Sequence, residues 1–363
     1  MRILHVYKDF DPPIHGGVER HVALMCRYQR EWAEVEALVC SRSFCTRTVE
    51  RDGTRVTEVG EWGRFQNAPV SPLFPFYLRR MEADVVVVHV PNPTAELSWL
   101  MVRPRGKLVV RYHSDVVRQA SAMRFYGPLQ LRFLRNAALI LPTSEPYVET
   151  SPMLRAVRDR CRVVPLGIVP ETFQRADPQR VQALRARYGG NYVLFTGRHR
   201  YYKGLGYLVK AAPHIKARVV IAGDGPERAR CEALAQDLGV HVEFPGSLTN
   251  EELVEHLHGC EVFVFSSVER SEAFGISLLE AHACGKPAVA TRLGTGVEFA
   301  NLHNQTGLNV PPRDPNALAE AVNTLLADPA LRARMGDFAR RRVLTEFNAT
   351  NVARREFDLY LHA

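Results

Sequence analysis

The run Glu261-Val262-Phe263-Val264-Phe265-Ser266-Ser267, followed by Glu272-Ala273-Phe274-Gly275-Ile276-Ser277-Leu278-Leu279-Glu280-Ala281-His282-Ala283-Cys284-Gly285-Lys286-Pro287, holds a pattern that recurs along the chain. A short apolar run without alternation reads as a strand covered on both faces. A small turn containing Gly275 then opens a helix, and Gly285 with Pro287 just beyond it stops that helix. Residues 287–291 are apolar again and predict the next strand. Strand, turn, helix, strand is the unit of a doubly wound parallel sheet.

Outward from this unit the same alternation continues. Residues 191–197, 217–222 and 240–244 read as strands, and 203–212, 226–238 and 250–257 as helices. In the first half, residues 3–7, 35–39, 84–90, 107–112 and 138–142 read as strands of the same Val/Leu/Ile-rich kind. Two series predict an α/β protein of two Rossmann-like domains with parallel sheets, and 363 residues suit two cores better than one. The seam falls in the Pro/Gly-rich turn at 164–170, giving domains of 1–167 and 168–347. The tail, about 348–363, reads as a helix that packs back on the first domain. Ligands of open α/β sheets sit at the carboxyl ends of strands, so two facing sheets place a site in a deep cleft between them.

Composition narrows the function classes. Apolar residues make up 46% of the chain, as in ordinary globular proteins. No apolar run approaches the roughly 20 residues of a membrane-spanning helix, and Met1 to Tyr7 reads as a strand rather than a signal peptide. A cytoplasmic protein is expected. The seven cysteines are scattered, with no Cys-x-x-Cys pair, which argues for buried free thiols over a zinc site or disulfides. A net charge of +8 permits nucleic acid, an anionic membrane or phosphorylated substrates as partners. No zinc finger, RNP aromatics or long basic arm is present, so nucleic acid is not expected.

Four segments carry chemistry. The helix start at Gly275 offers free N–H groups and a positive dipole end to an anion, with Glu272 before it and Glu280 within it. A carboxylate accepts two sugar hydroxyls, so the pair suits a sugar on each side of a diphosphate; two solvated glutamates on a surface helix remain the alternative. Phe195-Thr196-Gly197-Arg198-His199-Arg200-Tyr201-Tyr202-Lys203-Gly204 also follows a strand, and its Arg198 and Lys203 match the needs of a diphosphate leaving group, with a solvated basic loop as the alternative. Gly16-Gly17, after the first strand, lets backbone approach a phosphate or sugar. The dinucleotide and P-loop glycine signatures are missing. Asp9-Phe10-Asp11 has the look of a metal motif, but with no further ligand cluster it reads as turn chemistry. Arg111-Tyr112-His113-Ser114-Asp115 ends a strand and sets His113 at the ligand edge of the first sheet. Finally, residues 118–135 mix Arg118, Arg124, Arg132 and Arg135 with aromatic and apolar residues, as a helix resting on an anionic membrane does, or as a core helix with a basic face does.

Taken together and in this order, these segments resemble glycosyltransferase family 4, retaining transferases of the GT-B fold. The resemblance spans essentially the whole chain. It is strongest over Glu272 to Pro287 and at Gly197-Arg198 through Lys203-Gly204, with weaker matches at Gly223-Asp224-Gly225-Pro226, Phe244-Pro245-Gly246 and Thr306-Gly307-Leu308. It implies an acceptor-binding first domain and a donor-binding second domain. It implies that Arg198 and Lys203 bind the donor diphosphate and that Glu280 holds the ribose. Glu272, with the backbone of Phe274, Gly275 and Ile276, would hold the transferred sugar. Gly16 and Gly17 would lie against the donor phosphates and His113 near the sugar. No metal and no cofactor are implied beyond the GDP- or UDP-sugar itself.

Tyr112 to Gln119, Tyr201 to Gly204 and Leu293 to Val297 resemble more narrowly bacterial enzymes of O-antigen and surface polysaccharide assembly. Many of these take GDP-mannose or a related GDP-sugar and others take UDP-sugars; the resemblance leaves room for an acceptor linked to polyprenyl diphosphate, reached from the inner face of the cytoplasmic membrane. Gly294-Thr295-Gly296 departs from the commoner Gly-Gly-x-x-Glu loop, with Glu298 close to the place of the acid. A UDP-sugar transferase, a nucleotide-sugar epimerase on the same scaffold and a non-catalytic nucleotide or glycan binder are the rival readings.

Overall fold

A computed structural model of the protein describes residues 1–65, 68–116 and 120–363. The chain divides into two compact units, Met1–Gly167 with Ala349–Ala363, and Ile168–Asn348.

The first unit is built on β1 (Arg2–Val6), β2 (Glu34–Cys40), β3 (Arg47–Arg51), β4 (Thr54–Val59), β5 (Gly63–Phe65), β6 (Ala68–Val70), β7 (Val85–Val90), β8 (Lys107–Tyr112) and β9 (Leu139–Pro142). Seven of these form one sheet in the order β3-β4-β2-β1-β7-β8-β9. Its pairings are parallel except β3 on β4. The separate pair β5–β6 is an antiparallel hairpin. Val85–Val90 is buried along its whole length, which accounts for its unbroken valine run. One face of the sheet packs Ile3, Val35, Val87, Val109 and Leu141 against Val22, Met25 and Cys26 of the helix Gly17–Gln29. Val352, Ala353, Phe357 and Tyr360 of the last helix, Ala349–Leu361, complete that same core. The tail therefore belongs to the first unit's interior.

The second unit carries β10 (Tyr192–Thr196), β11 (Arg218–Ala222), β12 (Val242–Gly246), β13 (Val262–Phe265), β14 (Ala288–Thr291) and β15 (Gly307–Val310). They pair in the order β12-β11-β10-β13-β14-β15, all parallel. Its core joins Val193, Phe195, Val219, Ile221, Val264 and Val289 to helical Leu205, Leu208, Val209, Leu318, Val322 and Leu325.

Five strands were not legible as apolar runs. β3 is a charged edge, Arg47-Thr48-Val49-Glu50-Arg51, joined to β4 through Asp52 and Gly53, both at positive φ. The β5–β6 hairpin and the four-residue β15 are too short to show a period. All seven cysteines are free thiols, but only Cys26, Cys40, Cys231 and Cys260 are buried; Cys161 and Cys284 are half-buried and Cys45 is exposed. Among the described residues no helix is long and apolar enough to cross a membrane.

Candidate active site

In the second unit the chemistry collects at the carboxyl ends of β10 and β13. After β10 the chain makes a single turn, Tyr201–Lys203, and reaches Gly204 at φ 65°. A Cβ there would lie 2.1 Å from the Ser266 carbonyl oxygen, so only glycine lets this turn settle on the end of β13. Lys203 is thereby delivered over the Phe265 ring, 4.9 Å from its centroid. Its Nζ lies 2.5 Å from Glu272 Oε2, and both side chains are nearly covered. Ser267 Oγ donates to the same oxygen at 3.0 Å. Among the described residues no donor reaches Glu272 Oε1, which is thus the oxygen placed to take a hydroxyl.

The turn that holds Glu272 is fixed from behind. Thr295 Oγ1 donates to the Glu272 carbonyl at 2.9 Å, and Gly296 N to the Ala273 carbonyl at 2.8 Å. Gly275, at φ 89°, leads into the helix Ile276–Ala283, and a Cβ on it would come 2.9 Å from Phe265 Cζ. The first-turn amides of Ile276 and Ser277 have no acceptor within the helix and suit an anion. Phe274 is buried against Phe299 and Phe347, which anchors this helix start. Glu280 lies in the same helix and is buried. Arg198 is exposed on the loop after β10 and takes no part in the Lys203–Glu272 pair. Glu298 accepts from Gly294 N at 3.0 Å and Thr295 N at 3.2 Å, closing a capping box on the helix Gly296–Ala300. The acid that departs from the commoner loop pattern therefore serves this loop's own backbone.

In the first unit, Gly16 is the N-cap of the helix Gly17–Gln29, and a Cβ on it would meet the Glu19 carboxylate at 2.2 Å. Asp9 is buried and held by Arg42 at 3.0 Å and by Arg64 at 2.8 Å on each oxygen. Burial opposes ionisation of Asp9, but the two guanidinium groups prevail and hold its carboxyl below the usual range. Asp11 pairs with His15 at 2.6 Å. This acidic pair thus joins loops.

His113 follows β8 and is buried in a group of polar side chains. Gln29 Oε1 lies 2.9 Å from His5 Nε2, His5 Nδ1 lies 3.0 Å from His89 Nε2, and His89 Nδ1 lies 2.9 Å from His113 Nε2. Beside this row, Arg111 Nε is 3.2 Å from His21 Nε2 and 3.0 Å from Glu356 Oε1. Arg111 also donates to the carbonyls of Leu141, Val164 and Pro165 at 2.7–2.9 Å. His21, His89 and His113 have nitrogens within 4.8 Å of one another, which is close enough for a cation. Two of those rings already bond each other, and a buried guanidinium stands against the third. That set fits a hydrogen-bonded row better than a metal.

Residues 16–167 match the family model of the glycosyl transferase 4-like domain, and residues 178–342 match that of glycosyl transferases group 1. The chain is 35% identical over 364 residues to the O-antigen chain mannosyltransferase C of Escherichia coli, covering 99% of this chain and 98% of the relative. The chain belongs to glycosyltransferase family 4. It is also 35% identical to the D-rhamnosyltransferase WbpZ of Pseudomonas aeruginosa, over 96% of this chain and 93% of that one. The sucrose-phosphate synthase of Thermosynechococcus elongatus superposes with a TM-score of 0.85 at 24% identity, covering 99% and 98% of the two chains, which establishes the GT-B fold.

As a glycosyltransferase, the protein places Glu272, Phe274, Gly275, Ile276 and Glu280 on one turn-and-helix of the second unit, brings Lys203 to it from the turn after β10, and carries Gly16, Gly17 and His113 in the first. Sequence reasoning passed over His5, His21, Gln29, His89 and Glu356. The signal was present: β1 and β7 each carry one histidine inside an otherwise apolar run. A polar residue in a strand buried on both faces needs a partner.

Proposed function

We propose that the protein transfers a mannose or related hexose, with retention, from a nucleotide-diphosphate sugar to a glycan acceptor in bacterial surface polysaccharide synthesis. The observation that carries this reading is the meeting of Lys203 and Glu272 at the amino end of the helix Ile276–Ala283. A cation beside free helix amides meets the charge that develops on a departing diphosphate. Arg198, on the same loop as Lys203, joins in that role, so metal-free stabilisation is sufficient. Glu272 Oε1 takes a hydroxyl of the transferred sugar, and Glu280 holds the ribose. The leaving phosphate oxygen accepts the proton of the attacking hydroxyl as the new glycosidic bond forms on the face that the phosphate leaves. The relatives named for mannosyl and D-rhamnosyl transfer support a donor of the manno configuration, hence a GDP-sugar.

Thermal unfolding with GDP, UDP and ADP side by side tests the donor. GDP at 100 times its dissociation constant is expected to stabilise the folded state by about 2.7 kcal/mol, a rise in midpoint of several degrees. A rise with UDP alone would keep the transferase and replace the donor. No response to any of the three would remove the nucleotide-sugar reading.

The acceptor is proposed to be linked to polyprenyl diphosphate and reached at an anionic membrane surface. Of the stretch 118–135, Arg118 and Gln119 and the side chains of residues 120–123 and 125 lie outside the described residues. Arg132 and Arg135 are exposed on the helix Ala120–Arg135, which packs beside Pro93–Val102 and, through it, Phe74–Arg80. Exposed Trp62, Phe65 and Phe76, with Arg79 and Arg80, lie on and next to Phe74–Arg80 and the β5–β6 hairpin. Exposed aromatic residues beside arginines that have no acidic partner among the described residues suit an anionic bilayer. The protein is expected to sediment with phosphatidylglycerol vesicles at least ten-fold more than with phosphatidylcholine vesicles. Trp62→Ala combined with Arg132→Glu should abolish that difference. Equal sedimentation with both lipids would refute the docking.

A further inference from the structure

Three strand-end histidines, His5, His89 and His113, stand in a hydrogen-bonded row that starts at Gln29. Each ring is buried. Burial pushes His5 down to about 4 and holds His89 and His113 well below the ordinary histidine value; the positive charge of Arg111 acts in the same direction on the latter two. At neutral pH each ring therefore carries one proton for two nitrogens. In a row of such rings every proton must point the same way, so the group at the far end decides the order of all of them.

That group is Gln29. Its Oε1 faces His5 Nε2 at 2.9 Å, so His5 is protonated at Nε2 and accepts at Nδ1. His89 then donates from Nε2 and accepts at Nδ1, and His113 donates from Nε2. His113 Nδ1 is left as a lone pair, buried and without a partner among the described residues. The direction of the Gln29 amide is set in turn. Its side chain lies against the Tyr360 hydroxyl, although Gln29 Nε2 completes no hydrogen bond there. Tyr360 gives its proton to Glu356 Oε2 at 2.9 Å, and Glu356 is fixed by Arg111 at 3.0 Å. A hydroxyl whose proton is committed turns lone pairs to its neighbour. It therefore favours the amide NH2 on its own side and the carbonyl oxygen on the side of His5. The remaining groups that face the row are His21, whose ring centroid is 5.3 Å from that of His113, and Tyr7, 6.5 Å away.

We propose that Gln29, His5 and His89 are positioning residues that keep the proton of His113 on Nε2, so that His113 Nδ1 receives a hydroxyl of the transferred sugar. The role of His113 rests on the transferase reading above; the ordering of the row does not. An acceptor at this point selects a hydroxyl and disfavours a carbonyl, such as that of an N-acetyl group, because two acceptors cannot bond.

The experiment is histidine ¹⁵N NMR on the full chain without substrate, together with turnover measurements, for the wild type, Tyr360→Phe and Gln29→Met. The wild type is expected to show His113 unprotonated at Nδ1 and protonated at Nε2. Tyr360→Phe, which leaves the row intact and removes the hydroxyl that turns the amide together with its hydrogen bond to Glu356, should give a mixture of both tautomers. Gln29→Met should do the same. Both variants should lose about ten-fold in kcat, the value of one good hydrogen bond, with circular dichroism unchanged. A wild-type His113 protonated at Nδ1 overturns the proposal. So does a mixed tautomer in the variants with kcat unchanged. An ordered wild-type row in a protein that transfers no sugar would instead overturn the transferase reading and leave the ordering standing.

Discussion

Lys203→Ala is expected to lower the rate of sugar transfer by about 10²–10³-fold, the usual cost of one fixed donor to a developing oxyanion. The ammonium group sits 2.5 Å from Glu272 and 4.9 Å from the Phe265 centroid, so its place is set by packing as well as by charge. Gly204 holds the backbone of that turn, and its conformation does not depend on the lysine side chain. Circular dichroism should therefore stay close to the wild type, with a modest fall in the unfolding midpoint from the unpaired Glu272, while kcat collapses. Lys203→Arg keeps the charge but not the compact point contact, and should fall between the two. Single-turnover assays with the preferred nucleotide sugar would measure this directly. A Lys203→Ala enzyme within three-fold of the wild type would remove the lysine from the mechanism.

Arg111→Met should have the largest effect on stability, about 3–5 kcal/mol, because it strands a buried carboxylate. The guanidinium is fully buried, pairs with Glu356 at 3.0 Å and serves three backbone carbonyls. Removing it leaves every one of those acceptors without its donor. The same pair predicts a pH dependence. Burial works against ionisation of Glu356, yet Arg111 and then His21 and Tyr360 outweigh it and hold the carboxyl at about 2, against an ordinary 4.5. A carboxyl held lower in the folded than in the unfolded state adds stability above the unfolded value and loses it as the pH falls. The first unit should accordingly weaken between about pH 4.5 and 2, and Glu356→Gln should flatten that slope. Urea unfolding followed at several pH values would show both effects. A slope unchanged in Glu356→Gln would mean that other carboxylates set the acid limit.

Much of this architecture is written locally in the chain. The strands at 192–196 and 262–265 announce themselves because parallel strands buried on both faces must be apolar throughout, and Gly275 and Gly285 punctuate the helix Ile276–Ala283. Lys203 and Glu272 could be named from their motifs, but not their contact, since 2.5 Å depends on Gly204 fitting over the Ser266 carbonyl. β3 hid because an edge strand has one solvated side and can carry charges. The histidine row hid for a different reason. His5, His89 and His113 are separated by 84 and 24 positions and become neighbours only through the strand order β1-β7-β8. Glu356 lies further still, and nothing near it in the sequence points to Arg111.

The return of the last helix, Ala349–Leu361, into the first unit also bears on how the protein comes off the ribosome. Residues 1–167 emerge first, yet their interior stays open on one side, with Arg111 lacking its carboxylate, until residue 356 has been made. The second unit's main core cluster has its last buried residue at Met335 and the unit ends at Asn348, so it can close while the first still waits for Ala349–Ala363. Synthesis order and folding order are thus reversed for the two halves. A nascent chain stalled before residue 349 should show a protease-resistant second half and a first half that is readily cut.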